Sequence, residues 1–266
     1  IVTGLVGSEM CIRDSMQTSC MPIFVTGNPR ACLTRDKQFE MEMTAKPETC
    51  LNIGVLGCGP IAQAGHFESV TKGKNTNLYA ICDIARDLVE RFAVTHGAEN
   101  CFESYERMLA DPNLDAVIIA TADAFHVPAA LKALAAGKHV LCEKPLGVTL
   151  EEVEALGRAV AESGLKLQVG HMKRFDPGLQ SAREFIDSEM GDMLAFKAWY
   201  CDSTHRYAMT DAVQPLIVRS TASRRPDHDP KADLQQYYML AHGCHLVDTA
   251  RYLLSLIHIS EPTRPV

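Results

Sequence analysis

Residues 51–62 read Leu-Asn-Ile-Gly-Val-Leu-Gly-Cys-Gly-Pro-Ile-Ala, an apolar run that meets a glycine pair. A short apolar strand, 51–56, runs straight into glycines. The segment Gly57-Cys58-Gly59-Pro60-Ile61-Ala62 fits G-x-G-x-x-A. It stands where a strand ends and a helix opens, the setting in which this motif holds a dinucleotide. Gly57 permits the tight turn, Gly59 lets the backbone approach a pyrophosphate, and Ala62 keeps the helix close to the sheet. An anion is favoured there because the first N–H groups of a helix lack partners and carry the positive end of its dipole. Asp83 follows 24 residues after Gly59, at the end of the next apolar run, where an acid hydrogen-bonds the adenine ribose. Its charge repels a 2′-phosphate, so NAD is the expected cofactor. Nearby Arg86 leaves NADP open.

Working outward, strands and helices alternate. Ile61, Ala64, Phe67 and Val70 recur at near-helical spacing, and 78–82 is a second apolar run. Leu88, Val89, Phe92 and Ala93 give a second helix stopped by Gly97. A short helix at about 104–110 precedes a buried strand at 116–120. A helix over about 126–136 ends at Gly137, and 139–142 is the next strand. Thr149-Leu-Glu-Glu152 is a capping box that opens a helix closed by Gly164, with a strand at 167–169 beyond it. The strands are uniformly apolar, so helices must cover both faces of a parallel sheet. The expected fold class is α/β, a doubly wound parallel Rossmann sheet over 51–170. After Gly170 the style changes: 177–188 reads as a helix, 193–200 as a strand, and 245–254 as a helix through Leu246, Val247, Ala250, Leu253 and Leu254. This is expected to be the start of an incomplete α+β substrate and oligomerisation domain over 171–255.

The chain of 266 residues is 47% hydrophobic and 22% charged, enough apolar content for a sizeable core. A net charge of −7 gives no bulk support to nucleic-acid binding. No run of 18 apolar residues suggests a membrane span. None of the ten cysteines forms a C-x-x-C pair, so they read as free thiols of a reducing, cytoplasmic setting. No metal is expected, since Asp227-His228-Asp229 sits in a polar, proline-flanked loop. The two ends, 1–15 and 256–266, resemble translated sequencing-adapter DNA and are expected to be foreign. The leader over 1–50 is then largely unstructured or non-native, and the natural chain continues past Ser255.

Glu143-Lys144-Pro145 follows the strand at 139–142, where ligands of doubly wound sheets bind; taken alone, the tripeptide reads as a surface turn. In context, A-G-K-H-V-L-C-E-K-P-L at 136–146 resembles the signature of the glucose–fructose oxidoreductase, inositol dehydrogenase and rhizopine-catabolism (Gfo/Idh/MocA) family. Thr121-Ala-Asp-Ala-Phe-His126 is similar to that family's T-P-x-x-x-H turn, with Ala122 in place of proline. Residues 169–177 resemble its V-G-x-x-x-R-F-x-P segment and 243–248 its G-x-H-x-x-D segment.

The resemblance implies an NAD(P)-dependent enzyme that transfers a hydride between nicotinamide and a hydroxyl carbon of a sugar, cyclitol or related polyol. It implies catalytic Lys144 and His245, with Lys144 steadying a developing alkoxide and His245 taking the hydroxyl proton. It adds Thr121, His126, Glu143 and Lys144 to the cofactor contacts Gly57, Gly59, Pro60, Ile61, Ala62 and Asp83, and gives Lys144, Arg174 and His245 to the substrate. A homo-oligomer is implied for the full-length protein. The family's dehydrogenases carry an aspartate four residues before the histidine; here Ala241 stands there. That departure leaves two alternatives: a dinucleotide-sensing regulator, or a redox-assisted lyase or hydrolase with tightly held NAD. Asp248 could orient His245 or be a solvated helix residue.

Overall fold

In the computed structural model of the chain, which describes residues 50–199, 217–222 and 233–254, β1 spans Leu51–Leu56. A π turn, Ala62–His66, follows the glycines and runs into α1, Phe67–Lys72. Then come β2 (Thr76–Cys82), α2 (Arg86–His96), β3 (Asn100–Phe102), α3 (Tyr105–Leu109) and β4 (Ala116–Ile119). The alternation continues through α4 (His126–Ala135), β5 (His139–Cys142), α5 (Leu150–Ser163) and β6 (Leu167–Val169). All neighbouring strands pair in parallel, in the order β3-β2-β1-β4-β5-β6. That is the doubly wound order of a Rossmann sheet, whose direction of winding reverses between β1 and β4.

Two cores follow from the two faces. Phe67, Val70, Leu88, Val89 and Phe92 of α1 and α2 pack on one face with Ile53, Val55 and Ile118. On the other, Ala130, Ala133, Leu134 and Leu156 of α4 and α5 pack on Val117 and Ile119. Residues 117–119 thus alternate between the two cores, which is why β4 must be apolar throughout. The capping box at Thr149 forms as expected, and Gly97 and Gly164 close their helices in the left-handed region.

The structure corrects three expectations. Ile61 is 42% exposed, although its spacing placed it on the buried face. The π turn inserts a wider i→i+5 loop, so the buried face starts at Ala62 and resumes at Phe67. The strand β3 was not anticipated; it is three residues long at the sheet edge and too brief to show a pattern. Residues 193–199 form no strand, because no described strand lies beside them to complete a ladder, and Tyr200 lies outside the described residues.

The larger unit holds 50–174 and 193–254, and residues 175–192 fall in the smaller one. Its helix α6, Pro177–Ser188, is the one expected, capped by the Asp176 carboxylate accepting the Gly178 and Leu179 N–H groups. In the larger unit, α7 (Leu234–Tyr238) passes through a second π turn, Met239–Gly243, into α8 (Cys244–Leu253). Helix α8 buries His245, Asp248, Thr249 and Leu253 and leaves Val247 55% exposed. The apolar spacing pointed to a different face; a helix that lines a polar site turns its polar residues inward. Among the described residues, no helix is long and apolar enough to cross a membrane.

Candidate functional site

The carboxyl ends of β1, β2, β4, β5 and β6 carry Gly57, Asp83, Thr121, Glu143 and Gly170 within a few residues of each strand end. Gly57 has φ +100°, and a Cβ there would lie 2.7 Å from the Ala120 carbonyl oxygen. At Gly59 the nearest protein atom to such a Cβ is 3.9 Å away, so the loop leaves open space on that side. Asp83 faces the loop: one carboxylate oxygen accepts the Cys58 N–H at 2.7 Å, the other the Ala85 N–H at 2.9 Å. Each oxygen keeps a further lone pair for a ribose hydroxyl. Pro60 and Ile61 are exposed at the mouth of the loop and Ala62 is fully buried. An open cradle beside a glycine, a helix start and a carboxylate fit a dinucleotide. Arg86, with its side chain 72% exposed, pairs with Glu90 at 2.7 Å and lies 3.6 Å from Glu103.

Glu143 and Lys144 do not form a surface turn. The Glu143 carboxylate accepts from His66 Nε2 at 2.9 Å and from the Lys144 N–H at 3.1 Å. Burial raises the Glu143 pKa, but the His66 hydrogen bond and charge outweigh it and hold the carboxyl below its usual range. A Cβ at position 170 would press within 3.2 Å of this carboxyl, so Gly170 makes room for it. The Lys144 ammonium donates to the Ala241 carbonyl at 3.0 Å. This joins the strand-end loop to the π turn ahead of α8, at the position where an aspartate was expected.

His245 is buried on α8. Burial, with Lys144, Lys173 and His171 nearby, pushes its imidazole down to about 4. Both effects penalise the charged ring, so His245 is neutral at pH 7 and able to accept a proton.

Three residues of the expected site meet protein partners. His126 is 1% exposed, and its ring nitrogens lie 2.7 Å from the Pro145 carbonyl and 3.1 Å from the Thr121 carbonyl. Its ring ties two loops together and does not face an open cofactor space. Asp248 is neither solvated nor paired with His245: it takes two hydrogen bonds from the Arg174 fork, Nε at 2.8 Å and Nη2, with His171 Nδ1 at 3.7 Å. Arg174 is therefore held on α8's buried carboxylate through the Nε and Nη2 edge of its guanidinium, a bidentate pairing. Thr121 stays half-buried with its hydroxyl on the Ala122 carbonyl at 3.4 Å. Lys138, inside the Ala136–Leu146 signature, is structural: its buried ammonium caps the Asp111 and Leu114 carbonyls, both at 2.8 Å.

Sequence reading missed His66, His171 and Lys173. His66 had no motif to mark it, while the other two lay in a matched segment whose individual side chains were not weighed. Among the described residues no group of three or more His, Cys, Asp or Glu could hold a metal ion. Asp227-His228-Asp229 lies outside them.

The neutral rings and depressed pKa values predict a pH dependence. Folding keeps His245 and His171 neutral below pH 6.5, the ordinary imidazole value, where the unfolded chain would protonate them. Stability is therefore fully present above pH 6.5, declines as pH falls, and the His245 part is exhausted near pH 4. Melting temperature measured from pH 8 to 4 should be level and then fall, and His245→Gln should flatten the acid limb. An unchanged limb in that variant would reject the assignment.

A parallel doubly wound sheet with a glycine-loop cradle and an acid at the end of β2 defines a dinucleotide-binding protein. Residues 51–171 match the family model described as "Oxidoreductase family, NAD-binding Rossmann fold", that of Gfo/Idh/MocA. Over these residues the chain is similar to this family's dinucleotide-binding domain. It is similar to scyllo-inositol 2-dehydrogenase (NAD(+)) of Bacillus subtilis, at 36% identity over 149 residues, covering 56% of this chain and 44% of the relative. Among solved structures it is similar to scyllo-inositol dehydrogenase from Lactobacillus casei with bound NAD(H) and scyllo-inositol: TM-score 0.63, 25% identity, 77% of this chain and 56% of that one. It is also similar to KijD10, a 3-ketoreductase from Actinomadura kijaniata in complex with NADP and TDP-benzene: TM-score 0.50, 30% identity, 52% and 42% coverage. The chain spans about half the length of the curated relatives it matches.

Proposed function

We propose that the protein is an NAD-dependent oxidoreductase that moves a hydride between nicotinamide and a hydroxyl-bearing carbon of a cyclitol, sugar or related polyol. The observation that carries this is the neutral, buried His245 held near Lys144, on the side of the sheet where Gly57, Gly59 and Asp83 would hold the dinucleotide. When bound, the nicotinamide supplies the hydride acceptor or donor. Lys144 is a fixed positive charge; released from the Ala241 carbonyl, its ammonium donates to the substrate oxygen and lowers the cost of alkoxide character there. His245 takes the hydroxyl proton as the hydride leaves the same carbon, and returns it in reduction. Ala241 provides only its backbone carbonyl, so substrate hydroxyls must find other partners than a carboxylate at this position. The inositol dehydrogenases among its relatives support a polyol substrate, and Asp83 supports NAD over NADP.

A thermal-shift titration with NAD+ and NADP+ tests the cofactor reading, with myo- and scyllo-inositol then assayed for NADH formation. The expected result is a larger shift with NAD+, and Asp83→Asn should narrow the preference by about 1 kcal/mol, the size of one charge-assisted hydrogen bond or repulsion. Preference for NADP+ would overturn the role of Asp83. A shift with no turnover on any polyol would leave a dinucleotide-binding protein with another purpose.

A further inference from the structure

Two π turns among the described residues of the larger unit end on the same dipeptide. The first, Ala62–His66, belongs to the helix that follows the glycine loop and delivers His66 to Glu143. The second, Met239–Gly243, presents the Ala241 carbonyl to Lys144. A π turn costs helix geometry and recurs at functional sites because it redirects a side chain or frees a carbonyl. Here the first ends at His66, 2.9 Å from the far side of the carboxylate that receives the Lys144 N–H. His66 and Glu143 are both mostly buried, with side chains 17% and 15% exposed, so their contact is poorly screened.

We propose that His66 is a positioning residue that couples dinucleotide binding to the placement of Lys144. The inference rests on the cofactor reading above. A ligand on the Gly57–Ala62 loop fixes the start of the helix that carries His66. Nε2–H of His66 then holds one Glu143 oxygen, the other holds the Lys144 N–H, and the Lys144 side chain is aimed at the substrate space. Without His66 the carboxylate can turn away, and the Lys144 backbone loses its restraint while the cofactor loop itself stays intact. By thermodynamic reciprocity, the same coupling makes a well-placed Lys144 loop strengthen cofactor binding.

Amide hydrogen exchange at the Lys144 N–H, with and without NADH, tests this in the whole chain. In the unsubstituted protein NADH should slow that exchange by about tenfold, the signature of a locally stabilised loop. His66→Ala should abolish the slowing. His66→Gln, whose side-chain N–H replaces Nε2–H, should restore most of it. Thr71→Ala disturbs the same helix at a hydroxyl bonded to the Phe67 carbonyl, away from Glu143, and should leave the slowing intact. If NADH slows Lys144 exchange equally in His66→Ala, or if glutamine rescues nothing, the coupling is wrong. If the unsubstituted chain binds no NADH, the cofactor reading fails first and the coupling with it. Binding without any change at Lys144 sinks the coupling alone.

Discussion

Replacing Lys144 with alanine is expected to lower kcat/KM for polyol oxidation by about 10²–10³, the cost of removing one donor aimed at a developing oxyanion. His245→Ala should cost about 10²–10⁴, the usual worth of a positioned general base. The two act on one oxygen, so the double variant should fall far short of the product of the single losses. The Lys144 charge also helps push the His245 imidazole down to about 4, after burial. Removing it should raise the His245 pKa, which proton NMR titration of the ring reads directly. Affinity for NAD+ should fall less than turnover does, since Lys144 is one expected cofactor contact while the pyrophosphate loop and Asp83 are untouched. Turnover within about fivefold of the unsubstituted chain in Lys144→Ala would reject the lysine as the oxyanion donor, because that loss is under 1 kcal/mol. A His245 pKa unmoved by Lys144→Ala would mean that the two do not face each other.

The sheet was legible because its evidence is local and repeated. Val117, Ile118 and Ile119 must be apolar whichever face they meet, and Thr149 with Glu152 closes its own capping box within four residues. Gly57 and Asp83 were legible for the same reason: each sits at the end of an apolar strand where chain geometry alone restricts the residue. The partners of the site were less legible. His66 and Glu143 are 77 positions apart, Lys144 and Ala241 are 97, and Arg174 and Asp248 are 74. Sequence spacing says nothing about such pairs, and the π turns that create two of them shift a helix face by a residue with no compositional mark. The family resemblance marked Arg174 and His126 by position alone, and the structure adds the protein groups that each of them meets. A resemblance transmits position. Whether a side chain is available for chemistry depends on its partners, and those are three-dimensional.

The glycine loop allows the structural and binding demands on one motif to be separated by two nearly identical substitutions. Gly57→Ala should damage the fold. Its φ of +100° is costly for any L side chain, and the new methyl would meet backbone, the Ala120 oxygen at 2.7 Å and carbon at 3.0 Å, which cannot swing aside as a side chain could. Strain of about 1–3 kcal/mol at such a position, plus about 1–3 kcal/mol for overpacking, predicts a loss near 3 kcal/mol. For a unit of this size that is a melting temperature lower by roughly 10 °C. Gly59→Ala is the reverse case. No protein atom lies closer than 3.9 Å to the added Cβ, so the melting temperature should hold within about 2 °C. The methyl would instead enter the space where the backbone is open to a pyrophosphate, and NAD+ affinity should fall at least about tenfold, the 1–3 kcal/mol of one overpacked contact. Circular dichroism melts and NAD+ titrations of the two variants give four numbers. A stable Gly57→Ala would show that the turn is less constrained than its dihedral indicates. A Gly59→Ala variant that binds NAD+ normally would show that the dinucleotide does not run across this loop, and Asp83 would then be holding only the Cys58 N–H.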